Sequence, residues 1–259
     1  ALELGDDVLP SLVLTAVKED ALLRVHLLAY ALDPVDVLGV PHHGVLFRLL
    51  PDGSLDTTFS DDGRVELPQC SATGALTFDG NGILVSCAPP LEGALAGVLR
   101  LHANGSVDTS FGVAGHAEMR FESGDANTGL GSGFGPPSAL QVFSDGTIVG
   151  LGTYLVPRNL VLAQGRTDLG VARLLANGQP DLTFGHFDRD GVHHGSAHYR
   201  FGLLINRDDR SETGTAMAVD QDGSLIVVGS RSRETAVPGT SEFLTARLIN
   251  RGEGVALVR

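Results

Sequence analysis

The sequence predicts an all-β protein, a small β-propeller of about four four-stranded antiparallel blades forming one repeat domain over residues 1–259. Three observations predict it. One segment ending in Asp-x-x-Phe returns along the chain, a hairpin-like segment alternates with it, and amphipathic helical patterning is nearly absent.

The first segment reads Arg48-Leu49-Leu50-Pro51-Asp52-Gly53-Ser54-Leu55-Asp56-Thr57-Thr58-Phe59. It returns from Arg100 through Asn104-Gly105 to Asp108 and Phe111, and again from Arg173 through Asn177-Gly178 to Asp181 and Phe184. A fourth, broken copy begins Arg247-Leu248-Ile249-Asn250-Arg251-Gly252. The second segment pairs short apolar runs around a turn: Ala75-Leu76-Thr77-Phe78, Asn81-Gly82, Ile83-Leu84-Val85. Its other copies turn at Asp145-Gly146 and Asp222-Gly223, with a degenerate one at Glu19-Asp20. Asn-Gly and Asp-Gly supply the positive φ angles of tight hairpin turns, so this segment is a two-stranded hairpin. The first segment opens with a third strand, as in 97–101. A fourth follows its turn, as in 115–121. Four antiparallel strands make one blade. The units run approximately 10–68, 69–122, 138–202 and 212–259. Residues 17–30 contain helix formers, but their alignment with the other hairpins predicts strands.

Arg precedes Asp by the same interval in each full copy, as Arg48 with Asp56, Arg100 with Asp108 and Arg173 with Asp181. A catalytic group is needed once, whereas these recur in every full copy, so their expected role is structural. The expectation is a partly buried Arg–carboxylate bridge, bidentate in geometry, pinning the turn to its own strand or to a neighbour. Phe59, Phe111 and Phe184 would plug the gaps between blades. In the fourth copy Val255 stands where the Asp belongs and no Phe follows. Two alternatives stay open. An N-terminal strand such as Ala1-Leu2-Glu3-Leu4 closes the last blade, or the chain continues beyond this sequence.

The formal charge of −13 lacks the basic surface that nucleic acid requires and argues against an anionic membrane surface. No apolar run is long enough to span a bilayer as a helix. Cys70 and Cys87 flank the hairpin 75–86, whose closure brings them together. A disulfide there is expected, and with it an oxidising compartment.

The run Arg-Leu…Asp-Gly-Ser-Leu-Asp-Thr-Thr-Phe (48–59), followed by Ala-Leu…Asn-Gly-Ile-Leu-Val (75–85), resembles the bacterial delta-60 repeat over roughly residues 10–255. That resemblance implies a propeller-like fold and a secreted, periplasmic or cell-surface location. It implies no common enzymatic activity and no site residues.

Function is expected in the insertions at 122–137, 154–167, 186–198 and 231–240, because scaffolds carry sites on loops. The Gly-rich stretch 122–137 has no following Lys and no helix, so it is read as a loop and not a phosphate cradle. His186-Phe187-Asp188-Arg189-Asp190-Gly191 is similar to part of a Ca²⁺ loop. Asp61-Asp62-Gly63 occupies the matching place in the first unit, which favours a plain turn. His193, His194 and His198 are close in sequence, and His42-His43 are expected in another loop. Zinc needs three or four converging ligands, and sequence does not bring these together. No Gly-x-Ser-x-Gly elbow occurs. No catalytic, metal or cofactor-binding residue is therefore singled out. No cofactor is expected, Ca²⁺ being the one ion considered. The leading expectation is a non-enzymatic exported binding module with a protein or peptide partner. The alternatives are a metal-assisted hydrolase or lyase with its site at the propeller axis, and a structural subunit of a larger surface assembly.

Overall fold

A computed structural model describes residues 11–32, 41–80, 82–90, 95–121, 135–159, 164–185, 195–199, 210–233, 241–250 and 255–258. These form four separate antiparallel sheets of four strands, each in simple meander order. The first contains β1 (Ser11–Glu19), β2 (Val25–Leu32), β3 (Pro41–Leu49) and β4 (Arg64–Leu67). The second contains β5 (Ala72–Phe78), β6 (Ile83–Ala88), β7 (Gly97–Leu101) and β8 (His116–Glu118). The third contains β9 (Ala139–Val142), β10 (Ile148–Asn159), β11 (Gln164–Leu174) and β12 (Ser196–Tyr199). The fourth contains β13 (Arg210–Val219), β14 (Leu225–Arg233), β15 (Ser241–Asn250) and β16 (Val255–Val258). These sheets are the blades of a small β-propeller. The helix-forming composition of 17–30 yields to sheet pairing, since β1 and β2 register from Glu19↔Val25 outward.

The outer strand of the fourth blade is β16, which pairs with β15 through Arg247↔Val258 to Asn250↔Val255. Ala1 to Leu4, offered by the sequence for that place, lie outside the described residues.

The core lies between blades. Leu28, Leu46, Phe59 and Leu67 of blade 1 pack on Leu76, Ile83, Val85, Leu99 and Leu101 of blade 2. Leu84, Val98, Phe111 and Met119 of blade 2 pack on Leu140, Ile148, Ala172 and Leu174 of blade 3. Val149, Leu169, Val171 and Phe184 of blade 3 pack on Leu225, Val227, Ala246 and Leu248 of blade 4. Blades 2 and 3 thus present alternate residues to two neighbours, which is why their strands read as near-continuous apolar runs. The inner strands β1, β5 and β13 each carry an irregularity in register, at Leu14/Ala16, Thr73/Leu76 and Gly214/Ala216. In blade 2 the fully buried Ser86 accepts hydrogen bonds from the Gly74 and Ala75 amides there, at 2.9 and 2.5 Å. Buried backbone donors freed by a bulge need such a partner.

Cys70 and Cys87 form a disulfide, and both are fully buried beside the core joining blades 1 and 2. It closes a short loop around the first hairpin of blade 2. Opening it with dithiothreitol, or removing it as Cys70→Ala/Cys87→Ala, is expected to cost about 3 kcal/mol through loop entropy. The urea midpoint of oxidised, reduced and double-variant protein measures this, and an unchanged midpoint would place the bridge outside the folding unit.

Candidate functional site

The Arg–Asp–Phe sets have the same geometry three times. Arg48 Nε donates to Asp56 Oδ2 at 2.8 Å, Arg100 Nε to Asp108 Oδ2 at 2.8 Å, and Arg173 Nε to Asp181 Oδ2 at 2.7 Å. The pairing is through one nitrogen and not bidentate. The second oxygen of each Asp instead accepts the amide and hydroxyl two residues on, from Thr58, Ser110 or Thr183, the hydroxyls at 2.6 Å. Each guanidinium stacks over its own Phe at 4.4 to 4.6 Å from the ring centroid. Another guanidinium nitrogen then crosses to the next blade: Arg48 Nη1 donates to Ala103 O and Arg100 Nη1 to Ala176 O. The sets are blade-to-blade fasteners. Phe59, Phe111 and Phe184 sit in the interblade cores with at most 2 % exposure. Arg247 has no such carboxylate. Its Nη2 meets Asp220 and Asp222, and its Nε finds no partner among the described residues.

A cleft of about 400 Å³ opens between blades 1 and 2, where the β1–β2 turn meets the β5–β6 turn. Glu19, Asp20, Leu22 and Arg24 form one wall, Phe78, Gly82 and Ile83 the other, and His26 and Arg48 also line it. Its size and mixed lining suit a small ligand or one unit of a larger one. Asp20 Oδ1 accepts the Leu22 and Arg24 amides, and Oδ2 takes Arg24 Nε at 2.8 Å. Burial works to raise the Asp20 pKa, but these hydrogen bonds together hold it below the usual carboxylate range.

His26 departs from the repeat. Through its register opposite Arg48 it occupies the position of Leu84, Val149 and Ile226 in the other blades. Its ring is 1 % exposed and lies edge-on to Phe78, with centroids 5.0 Å apart. Nδ1 has no hydrogen-bond partner among the described residues. Burial pushes its pKa down to about 4, against the nearby Asp20 and with help from Arg48 and Arg24. The imidazole is therefore neutral at neutral pH. A buried polar atom without a partner is costly where an aliphatic side chain would fit. The signal was available in the repeat alignment, as a histidine in an otherwise aliphatic column.

Two buried carboxylates lie at the far end of the sheets. Asp168 on β11 and Glu212 on β13 each follow one member of a hydrogen-bonded pair, Thr167 N to Ser211 Oγ at 3.4 Å. Glu212 Oε1 accepts Arg231 Nε and Nη2 at 3.0 and 2.8 Å.

Of the residues weighed from sequence, His186, Asp188, Asp190, His193 and His194 lie outside the described residues. His198 lies on β12. His42 and His43 are not in a loop. They belong to β3, where His43 Nε2 meets Glu66 Oε2 at 2.9 Å across the strand pair. Asp61, with positive φ, and Asp62 form the turn into β4, and Asp62 Oδ1 accepts the Arg64 amide. Among the described residues no group of three or more His, Cys, Asp and Glu could hold a metal ion, and no helix is long and apolar enough to cross a membrane.

The family model described as a domain of unknown function (DUF5122) beta-propeller matches residues 41–59, 96–111 and 144–184. These stretches carry all three Arg–Asp–Phe sets. No curated protein matches the sequence. Among solved structures, an endo-1,4-beta-xylanase from Bacteroides thetaiotaomicron is 13% identical over 96% of this chain and 76% of its own, with TM-score 0.51. An exo-1,5-alpha-L-arabinanase from a bovine ruminal metagenomic library is 10% identical over 94% of this chain and 76% of its own, with TM-score 0.50. A protein of unknown function from Dyadobacter fermentans is 11% identical over 95% and 68%, with TM-score 0.50. At these identities the likeness is one of fold. It nevertheless corrects the expectation of a non-enzymatic binding module, which rested on the lack of a linear catalytic motif. Propellers of this fold include named hydrolases, and a site assembled from several blades leaves no linear motif. The three matched stretches are thus similar to the DUF5122 beta-propeller model, and the fold is similar to that of the named arabinanase and xylanase.

Proposed function

We propose that this chain is a propeller hydrolase cleaving glycosidic bonds of an arabinan- or xylan-type polysaccharide, with one sugar unit seated in the cleft between blades 1 and 2. The cleft carries the reading, because it brings two carboxylates and an unpartnered buried imidazole to one cavity. Glycoside hydrolysis uses a pair of carboxyl groups, one exchanging a proton with the leaving oxygen and the other ionised. Asp20, held ionised by Arg24 and two backbone amides, suits the second role. Glu19, which lines the same cleft, is assigned the first. His26 Nδ1 would find its missing hydrogen bond in a sugar hydroxyl. The two enzymes of the same fold named above lend support through the bonds their names specify.

The test is reducing-sugar release from linear arabinan and from xylan. Wild-type protein should release product from one of them. Glu19→Gln should lower kcat by about 100-fold or more, the usual contribution of a general acid. His26→Leu, which restores the residue type of the other blades, should raise KM while leaving the fold intact. No release from either polymer by the wild type would sink this reading.

An exported protein is part of the proposal, supported by the buried disulfide and by the delta-60 resemblance of the repeat. So is a single domain spanning all four units.

A further inference from the structure

We infer that the sugar unit in the cleft between blades 1 and 2 carries an aryl group, which lies against Leu22 while the sugar reaches His26, an inference that rests on the reading of that cleft as a sugar site. It comes from the turn joining β1 to β2, which departs from the turns that hold its place in blades 3 and 4. The closing hydrogen bonds fix the correspondence. The Leu23 amide donates to Asp20 O, the Gly146 amide to Phe143 O and the Gly223 amide to Asp220 O, all at 2.9 to 3.0 Å. Leu22 and Leu23 therefore stand where the other turns have Asp145-Gly146 and Asp222-Gly223.

Both replacements work against stability. Leu23 is held at φ 59°, in the left-handed region where Gly146 and Gly223 stand at 83° and 80°. A side chain is sterically penalised there and glycine is not. Leu22 gives up the carboxylate that accepts the amide two residues on in the other turns, Thr147 to Asp145 and Ser224 to Asp222. Asp20 takes over that duty by accepting the Arg24 amide at 3.1 Å, which leaves Leu22 free to be apolar. Neither leucine recovers the cost by packing, since they are 65 % and 59 % exposed. Leu22 lines the cleft, and so does His26 with its unpartnered Nδ1. Rim and floor of one cleft thus both give up stability, as binding sites do.

The chemistry of the ligand follows from this layout. At the floor, His26 offers Nδ1 to a hydroxyl. Above it Leu22 stands on one wall, with Phe78 and Ile83 on the other. Between these side chains the hydroxyls of a second sugar would find no partner. A flat ring instead buries apolar area there and pairs with the Phe78 ring. At about 400 Å³ the cleft has the size of a site for a ligand larger than one pentose.

Titration calorimetry of the full chain tests this. The probes are para-nitrophenyl α-L-arabinofuranoside, para-nitrophenyl β-D-xylopyranoside and benzoylated methyl α-L-arabinofuranoside, each against the plain methyl glycoside. At least one aryl probe should bind about tenfold tighter than its methyl counterpart. Preference for a nitrophenyl glycoside would put the aryl group on the leaving-group side, and preference for the benzoyl ester would make it a substituent of the glycan. Leu22→Asp/Leu23→Gly, which restores the turn of blades 3 and 4, should abolish the preference while raising the melting temperature. Leu22→Ser, which leaves the Leu23 backbone alone, should abolish it too. Equal affinity for aryl and methyl probes, no binding of any probe, or an aryl preference that survives both variants would overturn the inference. Hydrolysis is read separately. Product release from a polysaccharide without aryl preference sinks this inference alone, and aryl preference without product release sinks the catalytic reading alone.

Discussion

Asp56→Ala is expected to destabilise the protein by about 3–5 kcal/mol, the usual consequence of leaving one partner of a buried ion pair behind. Side-chain exposure at the Arg48–Asp56 bridge is 4 % and 5 %, so solvent offers the abandoned guanidinium little compensation. The loss has three parts. Arg48 loses its carboxylate. Thr58 loses the acceptor of both its amide and its hydroxyl. The Phe59 plug and the crossing bond to Ala103 O then rest on an Arg no longer held in place. Urea unfolding of the variant measures the sum, and a change below about 1 kcal/mol, the level of an exposed pair, would contradict the fastener role.

The same bridge fixes a pH dependence. The hydroxyl of Thr58 holds the Asp56 pKa down, with the Thr58 amide and Arg48 adding to it against the opposing effect of burial. Asp181 is lowered too, its hydrogen bonds from Thr183 and the Arg173 charge outweighing a larger individual burial effect. A carboxylate whose folded pKa is depressed stabilises the fold fully above its unfolded pKa, about 3.9. That contribution disappears as pH falls through the lower folded value. Stability should therefore drop below about pH 4, and Asp56→Ala should show a shallower drop over the same window. An equal slope in the two proteins would show that Asp56 does not titrate with folding.

Phe111→Ala is expected to cost about 3–5 kcal/mol, as large-to-small changes at fully buried aromatic positions do. The ring has 0 % exposure and packs among Leu84, Val98, Met119 and Leu174, so its removal opens a void between blades 2 and 3. It also removes the ring beneath the Arg100 guanidinium, 4.4 Å from the centroid. Phe111→Leu should recover most of the loss, because it refills the void without restoring the stacked cation. If Leu recovers little, the cation contact outweighs the packing. Equilibrium unfolding of both variants decides between these.

The cleft was not legible in the same way. His26, Glu19 and Asp20 stand in the most degenerate copy of the hairpin, where alignment is weakest. They meet Phe78 and Gly82 only because blades 1 and 2 pack side by side. His42 and His43 show the opposite error. A His-His-Gly run reads as a loop, yet β3 begins ahead of it because the main-chain pairing with β2 extends to Leu32↔Pro41. The bidentate expectation failed for a local reason, since a hydroxyl two residues after each Asp occupies the second oxygen.

The sequence by itself determined the blade. Recurring Asp-Gly and Asn-Gly turns, short apolar runs and the Arg–Asp–Phe spacing specify four strands per unit and a fastener in each of the first three, because turn dihedrals and nearest-neighbour pairing are local properties of the chain. Tertiary structure decided everything that lies between blades. It set which carbonyl each Arg reaches, where His26 loses its hydrogen-bond partner and where the cleft opens. Those depend on side chains brought together from units some fifty residues or more apart, such as Arg48 with Ala103 and Arg100 with Ala176, and no periodicity within one unit encodes them.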